Sequence, residues 1–211
     1  MKHTPTPHRI AAAIGLVSLL ATAWSNAGAA VLIDNLAEPT RDTTIVESEL
    51  WAAQSFTTAA EAVWLDSVTL LLGVAAGAAS TSAELRADGL AGPGALLTSL
   101  MLPVLSAGAP QPETLSLALF TQLAPLTTYW IVLGTAGDSF GWSYAEGNAS
   151  SGPGQLGDYR YSSDNGLSWA SFGADNPYQM RIDVTAGPEP AAAWLLAAGL
   201  AVVWTRRRLM R

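Results

Sequence analysis

Thr127-Thr128-Tyr129-Trp130-Ile131-Val132-Leu133-Gly134 decides the fold class. Six of these residues are β-branched or aromatic, the types that fit a pleated, half-buried surface. Tyr129, Ile131 and Leu133 would point to one side, and Trp130 and Val132 to the other. This is the strongest strand signal in the chain. It ends at a glycine, and Pro125 stands two residues before it.

The same grammar recurs on either side. Val31–Asn35, Trp51–Thr57, Val63–Leu72, Ala83–Arg86, Leu96–Leu102, Thr114–Phe120, Phe140–Tyr144 and Tyr178–Val184 are short apolar or alternating runs. Gly, Pro, Ser, Asn and Asp clusters separate them, the pattern of a β-sandwich. Within Val63–Leu72, Val63, Leu65 and Ser67 share one side and Val68, Leu70 and Leu72 the other, which predicts a mid-sheet strand. Tyr159–Ser162 and Ser168–Phe172 form a hairpin about Asn165-Gly166, a pair that tolerates positive φ. The acidic stretch from Leu36 through Glu49 reads as a loop, Ala75–Ser82 as a small-residue linker, and Gly147–Gly157 as a loop. No helical period of useful length interrupts this region. The expected fold is all-β, an antiparallel, jelly-roll-like β-sandwich over residues 31–186.

Two further segments flank it. At the N-terminus, Lys2 and Arg9 precede an apolar core, Ile10–Ala23, and then small residues. This is the layout of a secretory signal peptide over residues 1–30, with cleavage after Ala29 or Ala30. At the C-terminus, Pro188-Glu189-Pro190 precedes the uncharged run Ala191–Trp204 and the basic end Arg206, Arg207, Arg208 and Arg211. The prolines stop the sheet, and the Ala/Leu-rich run predicts a short hydrophobic helix. Its fourteen residues reach about 21 Å at 1.5 Å per residue, less than a bilayer core of about 30 Å. The arginines would stay cytoplasmic.

That three-part C-terminus, residues 187–211, resembles the PEP-CTERM sorting signal of Gram-negative envelope proteins. The resemblance implies a transient stay in the inner membrane and recognition and cleavage near the Pro-Glu-Pro by an exosortase. The blocks WAAQSF, LDSVTLLL, LRADGLAGPG, LAPLTTYWIVL, YRYSSDNGLSW and PYQMRI resemble the choice-of-anchor R domain, an extracellular β-rich domain found upstream of such signals. This second resemblance spans nearly all of residues 31–184. It implies a cell-surface or exopolysaccharide-matrix protein without known catalytic residues.

Elimination narrows the chemistry. Both histidines, His3 and His8, and the only lysine, Lys2, lie in the leader, and the chain has no cysteine. Residues 31–186 therefore offer no Ser-His-Asp or Cys-His catalysis, no lysine Schiff base and no His- or Cys-ligated zinc. No phosphate-binding glycine loop is present. The domain holds four arginines, Arg41, Arg86, Arg160 and Arg181, against sixteen acids, a net charge of −12. Such a surface repels nucleic acid. Carboxylate chemistry remains open: a glycosidase would need two facing acids, and Asp158, Asp164 and Asp175, near glycine-containing loops, are the candidates for a structural calcium ion. No cofactor is expected otherwise.

Ser162-Ser163-Asp164-Asn165-Gly166-Leu167-Ser168-Trp169 resembles the Asp-box, S-x-D-x-G-x-[ST]-W, of sialidase-type hairpins. Its implied role is structural, with Asp164 bonding back to hairpin amides, Gly166 turning the chain and Trp169 packing beneath. Exposed aromatic rings offer a different function, stacking on sugar faces. Trp142 and Tyr144, beside the Gly-rich loop, are the glycan-binding candidates, whereas Trp64 and Trp130, within apolar strands, are expected in the core. The expectation is an exported structural or adhesive protein, with a carbohydrate-binding module as the alternative and a glycoside hydrolase behind it.

Overall fold

The structure, a computed structural model, describes residues 28–74, 81–105 and 107–186. The leader before Gly28, most of the Ala75–Ser82 linker and the Pro-Glu-Pro segment with its helix and basic end lie outside the described residues. Among those described there is no helix. The strands are β1 (Ala29–Asp34), β2 (Thr40–Val46), β3 (Trp51–Thr57), β4 (Val63–Val74), β5 (Thr81–Gly89) and β6 (Gly92–Met101). They continue with β7 (Gly108–Leu123), β8 (Thr128–Thr135), β9 (Phe140–Ala145), β10 (Gln155–Ser162), β11 (Ala170–Ser171) and β12 (Met180–Ala186).

All pairings are antiparallel, in one continuous curled sheet of order β1-β12-β4-β7-β6-β5-β8-β3-β10-β11, with β9 joined to the end of β4 and β2 to β9. The fold is thus all-β and sandwich-like. One half is β1-β12-β4-β7 with β9 and β2, and the other is β6-β5-β8-β3-β10-β11. Only two residue pairs, Leu100–Leu117 and Met101–Ser116, join β6 to β7. One contiguous core draws on both halves. Leu65, Val68, Leu70, Leu115, Trp142 and Ile182 come from the first, and Phe56, Leu85, Ile131 and Leu133 from the second.

β8 is the strand its sequence predicts, and it lies between β5 and β3. Tyr129, Ile131 and Leu133 enter the main core. Trp130 and Val132 enter a smaller core with Ala53, closed by Trp51 and Trp169. That second core caps the outer face of the sheet, and Arg160 lies over Trp130, its guanidinium carbon 5.3 Å from the ring centre.

The two-sided apolar pattern of β4 has a further cause. β4 is indeed central, between β12 and β7. Its register slips at Asp66, since Leu65 pairs with Val184 and Ser67 with Asp183. The extra residue is a β-bulge, which reverses the facing of everything after it. Leu65 is buried before the bulge, and Val68, Leu70 and Leu72 after it. Trp64 precedes the bulge on the outward parity and is only half-buried, so its expected place in the core is corrected. The acidic loop reading of Leu36–Glu49 is also corrected, because β2 lies within it. β2 pairs with β9 alone, and five of its seven residues are polar. An edge strand needs no apolar alternation. Likewise β10 begins at Gln155, inside the expected Gly147–Gly157 loop.

Candidate ligand-binding face

The hairpin β10–β11 has two faces with different tasks. At its tip Asn165 and Gly166 take φ of 57° and 80°, as the Asn-Gly pair predicts. Ser162 Oγ donates to Asp164 Oδ1 at 2.6 Å and accepts the Gly166 amide at 2.8 Å. Asp164 also accepts the Ser168 amide at 2.8 Å and the Ser168 hydroxyl at 2.6 Å. Hydrogen bonds first from Ser162 and then from Ser168 hold the Asp164 carboxyl down at about 2. The loop is then tied to the β2–β3 turn: the Glu49 amide donates to Asn165 Oδ1 at 3.1 Å and the Asn165 amide to the Glu49 carbonyl at 3.3 Å. Trp169 turns back onto the small outer core. The Asp-box resemblance thus has the local hydrogen bonding of a structural clasp.

On that outer face Arg160 is held by two hydrogen bonds. Its Nε donates to Asp158 at 2.7 Å and its Nη1 to the Ala91 carbonyl. Asp158 also accepts the Ser171 hydroxyl at 2.9 Å. Asp88 accepts the Trp130 indole N–H at 2.7 Å. Of the three calcium candidates, Asp158 and Asp164 are therefore committed to internal partners, and Asp175 is exposed. The structure does not bring the three together, and among the described residues no group of three or more His, Cys, Asp or Glu could hold a metal ion.

The opposite face of the hairpin is aromatic. Trp142 is not the surface residue expected beside a Gly-rich loop. It is 0% exposed, stacked on Tyr178 at 4.3 Å and 14°, and its indole N–H donates to the Gln179 carbonyl. The reason is parity. Trp142, like Phe140, faces the interior from β9, and the loop begins only after Ala145. From Trp142 a train of rings runs outward. Tyr178 meets Tyr159 edge to face at 5.6 Å and Tyr144 at 6.3 Å. Tyr159 stacks with Phe172 at 5.7 Å, and Phe172 with Tyr161 at 4.7 Å. Exposure rises along it, from 2% at Tyr178 to 38% at Tyr161 and 48% at Phe172. Of the two glycan candidates, Tyr144 borders this train half-exposed and Trp142 forms its buried root.

Backbone hydrogen bonds tie the hairpin together beneath the exposed rings. The Phe172 amide donates to the Tyr159 carbonyl at 3.1 Å, and the Tyr159 amide to the Gly173 carbonyl at 2.9 Å. Gly173 has φ of 87°, a left-handed turn that suits glycine. Behind them Tyr178 is pinned on four sides. Gln54 Oε1 accepts its amide at 2.9 Å, Asn35 Nδ2 donates to its carbonyl at 3.2 Å, its hydroxyl donates to Thr44 at 3.0 Å, and Trp142 lies flat on its ring. Burial pushes the Tyr178 phenol up to about 12, and burial together with Tyr144 raises that of Tyr159. Both stay neutral at physiological pH.

Polar groups rim the face. Arg41 Nη1 donates to Asn176 Oδ1 at 3.2 Å, and Asn176 Oδ1 accepts the Gly147 amide at 3.1 Å. Arg41, Asp158 and Asp175 are close enough to Tyr159 to act on its titration. Chemically, this is a neutral aromatic stack, Phe172 layered with both Tyr159 and Tyr161, with hydroxyl, amide, carboxylate and guanidinium groups at its edge. Tyr161 and Phe172 were not singled out as ligand residues in the sequence. The signal for them was Tyr159-x-Tyr161, two residues on one side of a strand, in a hairpin whose Asn-Gly turn brings Phe172 opposite Tyr159. Compared with known proteins, the chain matches no family model and no curated sequence.

Proposed function

We propose that this chain is an exported, non-catalytic adhesion protein of the cell surface or exopolysaccharide matrix that holds polysaccharide on the Tyr159–Phe172–Tyr161 face. The observation that carries it is the stacked pair Phe172–Tyr161, left 48% and 38% exposed at the outer end of the ring train. A pyranose presents a C–H face that stacks on such rings, and its hydroxyls reach the polar rim. Export rests on the leader and on the Pro188-Glu189-Pro190 signal, with an exosortase as processing partner and the inner membrane as a passing stage. The absence of His, Lys and Cys from residues 31–186 supports a binding role over a catalytic one.

The binding test is a glycan array and isothermal titration on the full chain in a non-sugar detergent. Phe172→Ala and Tyr161→Ala should abolish binding at an unchanged melting temperature. Binding to no glycan would count against the reading. The sorting test replaces Pro188-Glu189-Pro190 by alanines. The precursor should then accumulate with its C-terminus intact, and unchanged processing would refute the exosortase assignment.

A further inference from the structure

Resting on that reading, we infer that the aromatic face selects an uncharged polysaccharide and rejects acidic, uronate-bearing ones. The arginines are the only cations in residues 31–186. Arg86 is held by Glu84 at 2.6 Å, Arg160 by Asp158 at 2.7 Å, and Arg181 by Asp183 and Asp34 at 2.9 and 3.3 Å. Arg160 belongs to the hairpin's other face, over Trp130. Arg41 alone borders the rings, and its hydrogen bond goes to the neutral Asn176.

The surroundings of Arg41 are acidic. Asp42 follows it in the chain. Glu146 donates its amide to the Pro39 carbonyl at 2.8 Å, which places it beside the start of β2. Asp175 precedes Asn176, and Asp42, Glu146 and Asp175 are all exposed. A uronate reaching for Arg41 therefore approaches backbone that carries three exposed acids beside one arginine, within a domain of net charge −12. Like charges at that range raise the cost of approach and slow the encounter. A neutral sugar meets no such penalty. Its ring stacks on Phe172 and Tyr161, and its hydroxyls donate to Asp175 and accept from Arg41 and Tyr144. The same carboxylates that repel a uronate serve a hydroxyl as acceptors.

Salt separates the two cases, because added ions screen a repulsion between charges but leave stacking nearly untouched. The experiment titrates the full chain, in a non-sugar detergent, with a neutral β-glucan, a polyuronate and a cationic amino-polysaccharide at about 50 and about 500 mM NaCl. The expected result is glucan binding that is unchanged by salt and lost in Phe172→Ala, with the polyuronate at least about tenfold weaker at low salt. Asp175→Arg should narrow that gap by strengthening polyuronate binding at low salt. Tighter binding of the polyuronate, or salt-sensitive binding of the cationic polymer alone, would overturn the selectivity and leave glycan binding standing. No binding by any of the three would overturn both.

Discussion

At the scale of single residues, Trp142, a glycan candidate in the sequence, is buried, and Phe172, given no role there, is exposed. Trp142 is expected to be structural: truncation to Ala would open a cavity under Tyr178 and release its bond to the Gln179 carbonyl. Burial of this kind is worth about 3–5 kcal/mol on truncation. Chemical denaturation of Trp142→Ala should show that loss, whereas Phe172→Ala should unfold within about 0.5 kcal/mol of wild type, as exposed positions do. Asp164 gives a pH signature. Its folded-state value of about 2 lies below the ordinary 3.8. A depressed carboxyl contributes stability that is present above its unfolded value and lost as pH falls through its folded one. The melting temperatures of wild type and Asp164→Asn should therefore differ at pH 6 and converge as pH falls from about 4 to about 2. A gap that persists at pH 2 would show that geometry, not the charge, holds the clasp. The clasp was legible because every partner lies within eight residues. Burial of Trp142 was not, since it depends on Tyr178, 36 positions away.

At the scale of elements, most strands follow from local pattern, and the exceptions share a cause. β2 escaped because an edge strand paired only to β9 has no need of alternating apolar residues. The phase reversal in β4 escaped because a bulge at Asp66 inserts one residue without leaving a compositional mark. The joints between elements are less legible still, because they are made by amides. Gln54, fully buried on β3, donates to the Gly157 carbonyl at 2.9 Å and accepts the Tyr178 amide at 2.9 Å, so one side chain couples the bulged start of β10 to the approach to β12. Gln179 does the same for β2, accepting the Thr40 hydroxyl at 2.7 Å and donating to the Glu38 carbonyl at 2.8 Å. Gln54→Leu keeps the volume but strands a buried donor and acceptor. Each unsatisfied group costs about 1–3 kcal/mol, so the variant should lose about 2–4 kcal/mol. Hydrogen exchange at the Tyr178 amide should accelerate beyond what that global loss explains. An amide that stays equally protected would mean that Gln54 is not its partner.

At the scale of the whole molecule, the chain enters and leaves its domain at one place. β1 and β12 are antiparallel neighbours, with Ala29 opposite Thr185 and Ala30 opposite Val184. The proposed signal cleavage after Ala29 or Ala30 therefore falls on a residue that pairs beside the last strand, and the Pro-Glu-Pro begins two residues after that strand ends. A precursor held at both ends could close its core without passing either end through the sheet, so cleavage need not precede folding. Paired Cα atoms in an antiparallel ladder lie about 5 Å apart, which a linker of about five Gly/Ser residues spans with slack. Joining Ala186 to Ala29 through such a linker and opening the chain between Pro103 and Val104, both exposed in the β6–β7 connection, should give a circular permutant that melts cooperatively within about 5 °C of the parent, a change of about 2 kcal/mol or less. It should keep glycan binding, because the rings come from β9, β10, β11 and the approach to β12, none of which contains the new join or the new ends. A permutant that folds only with a linker several times longer would place the two ends apart and remove the basis for a precursor tethered at one end of the sandwich.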